Sequence, residues 1–345
     1  MESSLYHAAK HRAQDNQFVG TPLSQVAIIA IGRNEGERLR RSLESLRGLD
    51  CTLVYVDSGS TDNSIEIARE AGADIVELDM SIPFSAARAR NAGADKAMAG
   101  PTTPAYLQFI DGDCAVAAGW IDAGVAYLDA HPETVLVTGW RKEIHPDVSV
   151  YNAMCDVEWH RPAGKIATAG GDVMVRAAAH LEIGGYNPHL IAGEDPDYSL
   201  RLGTLGSCVR LPMDMTLHDA SMTRFGQWWR RAVRAGHAYA HLEAMHKGQS
   251  KREIIRAIVY AVLLPVAGIG FLILWPLGLG MVLAIYAISY ARTALGLMRN
   301  EGLALRTAAH HSVFLTLSKF PNLVGMATFA LRRIRGRDMK IIEYK

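Results

Sequence analysis

The stretch LQFIDGDCAV, residues 107–116, closes an apolar run on two carboxylates two positions apart. Carboxylates about 4 Å from one another repel by roughly 4 kcal/mol at an effective dielectric near 20. Placing Asp111 and Asp113 where a buried strand surfaces therefore needs an offset, and a divalent cation is one answer; a plain acidic turn is the other. In extended backbone, residues i and i+2 point to the same side, which lets the two acids face one cation. Gly112 between them has no side chain to block a diphosphate. Hard oxygen ligands of this kind suit Mg²⁺ or Mn²⁺ rather than zinc.

The residues before this stretch favour the cation. QVAIIAIG (25–32) is a short β-branched run ending in Gly, hence a buried strand. EGERLRRSLESLRG then puts Leu39, Leu43 and Leu46 on one helical face, closed by Gly48. CTLVYVD reads as a second strand, SGSTDNSIEIAREAGA as a capped helix ending at Gly72, DIVEL as a third strand, FSAARARNAGADKA as a third helix and AYLQFID as a fourth strand. Four strands alternating with three helices imply an α/β fold with a mostly parallel sheet and helices on both faces. Ligands of such open sheets bind outside the carboxyl ends of the strands. Asp57 follows LVYV and Asp111 follows LQFI, so two strand ends deliver carboxylates to one rim.

Other motifs point to the same rim. In VDSGSTDNS, Asp57 is placed to accept hydrogen bonds from a base or ribose, and the small residues let a nucleotide approach the backbone, while Thr61 or Asp62 reads as a helix cap. The glycine spacing matches neither a Walker A loop nor G-x-G-x-x-G. In GEDPDYSLRL (193–202), an acidic first helical turn is ordinary N-terminal electrostatics, which accounts for Asp197. Glu194 and Asp195 behind Gly193 fit a general base across the cleft from a metal. In TRFGQWWRRAVRAGHAYA (223–240), Gln227, Trp228, Arg230 and Arg231 combine aromatic area with cations. They read either as membrane-interface anchors or as a clamp for acceptor and diphosphate, with Arg230 or Arg231 on phosphate oxygens. His218 is the one histidine nominated as a metal ligand.

Charge is nearly balanced, with 36 Lys and Arg against 35 Asp and Glu, so there is no electrostatic footprint of a nucleic-acid partner. Four scattered cysteines without a C-x-x-C pair read as reduced thiols. The first residues lack the apolar centre of a secretory signal, and 1–24 is expected to be a polar leader. Composition changes near residue 250: from Ala257 to Ala291 there are 35 residues without a charge. A span needs about 20 apolar residues, and basic residues flank both sides, so a membrane hairpin broken around WPLGLG is expected, with both ends cytoplasmic. A buried helix pair in a soluble protein is the competing reading. Ser312–Leu331, interrupted by Lys319 and Pro321, is expected to be an interfacial helix with a Pro break.

Taken in order, AIIAIGRNEGERLRRSLESL, VYVDSGSTDNS, ARARNAGADKA, FIDGDC, GGDVMVRAAAHLEIGGYN and GEDPDYSLRLGTLG resemble glycosyltransferase family 2, over residues 26 to about 206. The resemblance implies a GT-A fold over 25–245, followed by a helical membrane-associated region over 246–345. It also implies an inverting, nucleotide-sugar-dependent transferase using Mn²⁺ or Mg²⁺. By the same resemblance Asp57 contacts the uracil or other base, Arg33, Asn34 and Glu35 lie on the first nucleotide-facing loop, and Arg90 and Asn91 line the nucleotide pocket. Asp111 and Asp113 correspond to the D-x-D metal and diphosphate site, His218 to a third metal contact and Asp195 to the base. Gly170, Gly171 and Asp172 shape the donor and acceptor site. QWWRR has the Q-x-x-R spacing of processive polysaccharide synthases without their final Trp, so single addition is expected.

The expected donor is a nucleotide sugar, a UDP-sugar first. The expected acceptor is lipid-linked, polyprenyl-borne or glycan, in exopolysaccharide or cell-surface glycan synthesis. The expected location is the inner (plasma) membrane, with the catalytic domain on its cytoplasmic face. The rivals are a sugar nucleotidyltransferase, which would show a basic Gly-rich N-terminal phosphate loop, and an inactive membrane-bound scaffold.

Overall fold

The computed structural model of the protein describes residues 20–336, so most of the expected polar leader lies outside the described residues. The strands are β1 (Val26–Gly32), β2 (Thr52–Asp57), β3 (Asp74–Glu77), β4 (Tyr106–Asp111), β5 (Cys114–Val116), β6 (Thr134–Glu143), β7 (Gly164–Ile166), β8 (Val173–Arg176) and β9 (Ser207–His218). Between them run α1 (Glu37–Glu44), α2 (Ser64–Glu70), α3 (Ala86–Met98), α4 (Trp120–Ala130), α5 (Val150–Trp159), α6 (Ala177–Glu182) and α7 (Glu194–Leu202). The long helix α8 (Phe225–Met245) follows the last strand.

One sheet runs β3-β2-β1-β4-β8-β6-β9-β5, with β7 on β9. Its first four strands are parallel, as the strand–helix alternation requires. Beyond β4 the sheet becomes mixed: β8 is antiparallel to both neighbours, β6 and β9 are parallel, and β5 and β7 are antiparallel to β9. Both faces of β1, β2 and β4 are covered, so these strands are buried along nearly their whole length and read as continuous apolar runs. Leu39, Leu43 and Leu46 are buried in the core on one face, as their spacing predicts. In β1, Gly32 pairs with Asp57 and Ile31 with Asp111. The two acids therefore stand at one level of the sheet, two strand spacings or about 10 Å apart.

The C-terminal helices are α9 (Lys251–Ile258), continued through a π-helical turn (Val259–Leu263) into α10 (Leu264–Leu274), then α11 (Pro276–Asn300), α12 (Leu305–Leu317) and α13 (Lys319–Ile334). The hairpin turns at Trp275, inside the expected WPLGLG break. Its arms exceed 257–291 because both helices continue into their charged flanks. Three helical segments, Lys251–Leu272, Gly278–Asn300 and Leu305–Ile334, are long and apolar enough to cross a membrane. Only 17% and 11% of the first two are buried, and Leu263, Val266, Ile269, Leu272, Leu283 and Ile288 face outward, which excludes the buried-pair reading.

The segment expected as an interfacial helix over 312–331 is the distal part of the third of these. Its break falls at Ser318, ahead of Pro321, which sits in the first turn of α13 where no intrahelical partner for its missing N–H is lost. Helix α13 lies along α8. A Cβ on Gly236 would overlap the backbone of Asn322, and one on Gly325 the carbonyl of Val233. The C-terminal helices are thus clamped to the sheet domain by backbone contact that only glycine permits.

Candidate active site

The site begins with Arg90 on α3, whose guanidinium is only 2% exposed. Nη2 lies 2.8 Å from Asp111 Oδ1 and Nη1 lies 2.8 Å from Asp195 Oδ1, with Glu194 Oε1 at 3.6 Å. Residues 21 and 105 positions away in sequence are thereby joined through one planar fork. The guanidinium also stands 5.2 Å over the Tyr186 ring, which stacks at 3.8 Å on Tyr198. Buried among three carboxylates, Arg90 is held protonated, its pKa well above the ordinary value despite the cost of burial. Gly171 is required beside it, since a Cβ there would overlap Nη2.

A second cation, Arg141 at the end of β6, donates to Asp111 Oδ2 at 3.1 Å and contacts Asp172 Oδ2 at 2.7 Å. Asp172 is buried, and its other oxygen accepts the Asp111 backbone N–H. Asp172 therefore orients both the strand end and Arg141. Burial acts to raise the pKa of Asp111, but Arg141 and Arg90 outweigh it and hold the carboxyl below the usual range.

Asp113 faces elsewhere. Residues 112 and 113 form a turn between β4 and β5 rather than extended backbone, which corrects the expected i, i+2 alignment: Asp111 meets arginines, and Asp113 meets His218 Nε2 at 3.3 Å. The other ring nitrogen of His218 is 3.8 Å from Glu143 Oε2, and Trp159 covers the ring edge-on. Among the described residues, two groups have metal-binding spacing: Asp113, Cys114 and His218, and Asp111, Cys114 and Asp172. A carboxylate behind the far ring nitrogen is the usual support for a metal-binding imidazole. The donor set fits a hard divalent cation, with the Cys114 thiol buried at its edge and its pKa pushed well up by burial.

Asp195 stands in the first turn of α7, introduced by Gly193 at φ +86°. Burial together with the neighbouring Glu194 and Asp111 charges carries its carboxyl up to about 7, even with Arg90 opposing the shift. A base poised near neutrality accepts a proton more readily than one at 3.9.

The first nucleotide-facing loop is tied to the second. Asn34 adopts φ +55°, its N–H donates to Ser60 Oγ, and its side-chain oxygen accepts from the Thr61 N–H. Glu35 pairs with Arg38, and Arg33 lies over the Phe84 ring. Asp57 is buried and accepts from the N–H groups of Gly59 and Ser60 and from the Tyr55 hydroxyl. Its carboxylate thus shapes the loop, which differs from a side chain offered freely to a base. Asn91 clamps the Tyr186 backbone through both N–H and C=O.

The QWWRR residues are not brought to the carboxylates. The Gln227 side-chain oxygen accepts from the N–H groups of Thr223 and Arg224, closing the start of α8. Trp228 is buried against Tyr151 and Phe314, Arg231 makes a two-point pair with Glu158, and Arg230 is exposed. The cation of this helix that reaches the site is Arg234, 3.9 Å from Glu194. Arg141, Glu143, Trp159 and Arg234 escaped the sequence reading. A signal for the first two was present, since GWRKE puts charges at a strand end just as LQFID does.

Residues 27–169 match the family described as Glycosyl transferase family 2. Over that stretch the chain is similar to that family. The chain is 30% identical over 145 residues to a TPR repeat-containing protein of Synechococcus elongatus, covering 42% of this chain and 34% of the relative. It is 27% identical over 245 residues to the Pre-mycofactocin glycosyltransferase of Mycobacterium tuberculosis, covering 67% of this chain and 50% of that one. The chain thus spans a third to a half of the length of these two relatives. Its fold is similar to that of a mannosyltransferase from Pyrobaculum calidifontis solved with GDP-Man and Mn²⁺, with a TM-score of 0.54 and 18% identity over 92% of this chain and 93% of that one. The sheet and its helices are the GT-A fold, followed by helices able to span a membrane.

Proposed function

We propose that this chain is an inverting glycosyltransferase that moves a sugar from a nucleoside diphosphate donor, UDP-linked first among the candidates, to a membrane-borne acceptor. The reading rests on one observation: Arg90 holds Asp111 and Asp195 at 2.8 Å each, so the diphosphate end of the site and its base share one rigid fork. Bound at Asp113 and His218, Mg²⁺ or Mn²⁺ would supply charge screening for the leaving diphosphate. Asp195 accepts the proton of the acceptor hydroxyl as that oxygen bonds to the anomeric carbon. The bond to the diphosphate oxygen breaks on the opposite face, and its electron pair leaves with the nucleoside diphosphate. Arg90 fixes the direction of Asp195, and Gly171 keeps room for Arg90.

The apolar C-terminal helices support an acceptor anchored in a membrane, a polyprenyl-linked sugar or growing surface glycan being the chemistry that fits. In this reading residues 25–245 form the catalytic domain on the cytoplasmic face of the inner membrane, and 246–345 form its membrane-embedded part. Asp195→Asn should lower turnover by about 10³-fold while leaving metal-dependent binding of the nucleoside diphosphate within about threefold. Turnover at the wild-type rate in that variant refutes the assignment of the base. A product that keeps the donor's anomeric configuration, read by NMR, refutes inversion.

A further inference from the structure

Away from the catalytic cleft, the three membrane-length segments enclose a polar hollow of about 210 Å³. Its lining comprises Arg256 and Tyr260 from the first segment, Ser289 and Thr293 from the second, and Leu315, Thr316 and Lys319 from the third. Two cations and several hydroxyl groups line it, and no carboxylate does. Glu253, one turn before Arg256, is near enough to act on Lys319 but lies outside the lining. The Thr316 hydroxyl is buried and has no hydrogen-bond partner among the described residues.

Such an arrangement is costly unless occupied. A Lys or Arg among membrane helices is costly when it has no anionic partner, and two like charges facing one hollow add repulsion. The π-helical turn Val259–Leu263 widens the first helix right at Tyr260, and such turns recur at functional sites. Depth is informative too. Arg256 lies five residues past Lys251, and Ser289 three residues before Arg292, about 8 and 5 Å along their axes from charged flanking residues. That is headgroup depth. The neighbouring Ile255, Ile258, Ile288 and Val313 are exposed apolar residues. At 210 Å³ the hollow falls below the roughly 300 Å³ at which pockets for drug-sized ligands begin, so it suits a small anionic group whose tail lies outside.

We propose that the hollow lined by Arg256, Tyr260, Ser289, Thr293, Thr316 and Lys319 binds the anionic phosphate of a lipid. This rests on the reading of these helices as membrane-embedded and adds to it a specific headgroup site, separate from the carboxylate cluster. Arg256 and Lys319 neutralise the phosphate, Thr316 donates the hydrogen bond it lacks, and the exposed isoleucines and valine take the acyl or isoprenoid chain.

The test uses the full-length protein in a neutral detergent, with short-chain phosphatidic acid, the matching phosphatidylcholine and inorganic phosphate as probes and thermal stabilisation as the readout. Phosphatidic acid should stabilise the wild type saturably, and the other two should do so at least tenfold less effectively. The double variant Arg256→Gln, Lys319→Gln should need at least tenfold more phosphatidic acid, and Thr316→Val about threefold more. Equal response to phosphatidic acid and phosphatidylcholine, or an unchanged double variant, overturns the site. Inorganic phosphate that saturates at the same concentration overturns its assignment to a lipid. Flotation with phosphatidylcholine vesicles separates the two levels. A wild type that does not float defeats the membrane reading itself. A double variant that floats as the wild type does, but has lost its preference for phosphatidic acid, supports the site and shows the variant is folded.

Discussion

On the β1–β2 side of the cleft, the polar groups are committed to their own loops. Asp57 accepts two backbone N–H groups and a tyrosine hydroxyl, and Asn34 stitches the first loop to the second. On the β4–α7 side, Asp111, Asp172, Glu194 and Asp195 are gathered around the buried Arg90 and the largely buried Arg141. The first arrangement stabilises a shape. The second holds charges that water would stabilise better, and it returns that cost as a carboxyl whose acidity has moved to about 7. Removing one partner from a buried pair costs about 3–5 kcal/mol because it strands the other, whereas a loop cap is worth about 1 kcal/mol. The two flanks should therefore respond very differently to substitution.

Arg90→Lys is the sharpest way to break this contrast. It keeps the charge but loses the fork that reaches Asp111 and Asp195 together. Turnover should fall at least 100-fold, and the pH midpoint of kcat/KM should move. A variant with wild-type turnover and midpoint would mean that the fork does not position the base.

The pH dependence comes next in size. With Asp195 titrating near 7, kcat/KM should fall about tenfold per unit as pH drops below that value. Its effect on stability has the opposite sense. The unfolded chain releases this proton near 3.9 and the folded chain near 7. The unfolded state therefore binds fewer protons between those values, and the fold loses stability as pH rises through that window. Asp195→Asn should remove this loss, so that the Tm difference between variant and wild type is larger at pH 8 than at pH 4. An unchanged difference would show that Asp195 keeps its ordinary acidity.

Gln227→Ala probes the quiet side of the comparison. The residue closes the start of α8, so its loss should cost about 1 kcal/mol of stability and leave kcat and KM within twofold. A KM for the acceptor raised tenfold would instead support the clamp reading of QWWRR.

Much of the molecule is legible along the chain because its cause is local. The parallel half of the sheet follows from apolar runs of strand length separated by helical leucine spacing and glycine stops, each decided within a few residues. Asp57 and Asp111 fall at strand ends for the same reason. The 35-residue uncharged run marks an apolar helical hairpin wherever it lies, since no charge interrupts it. What local pattern could not supply are the partners of charges. Arg141 and Glu143 reach the site only because β6 pairs with β9 across some 70 residues, with Glu143 opposite His218. Whether Asp195 is ionised depends on how many charges the fold packs around it. That Ser312–Leu331 belongs to a longer rod fastened to α8 depends on two glycines, Gly236 and Gly325, far apart in sequence and touching in space. Sequence alone determined the elements and the kinds of chemical group. Tertiary structure decided the electrostatic state of each group, because Coulomb and burial effects act over distances that the order of residues does not record.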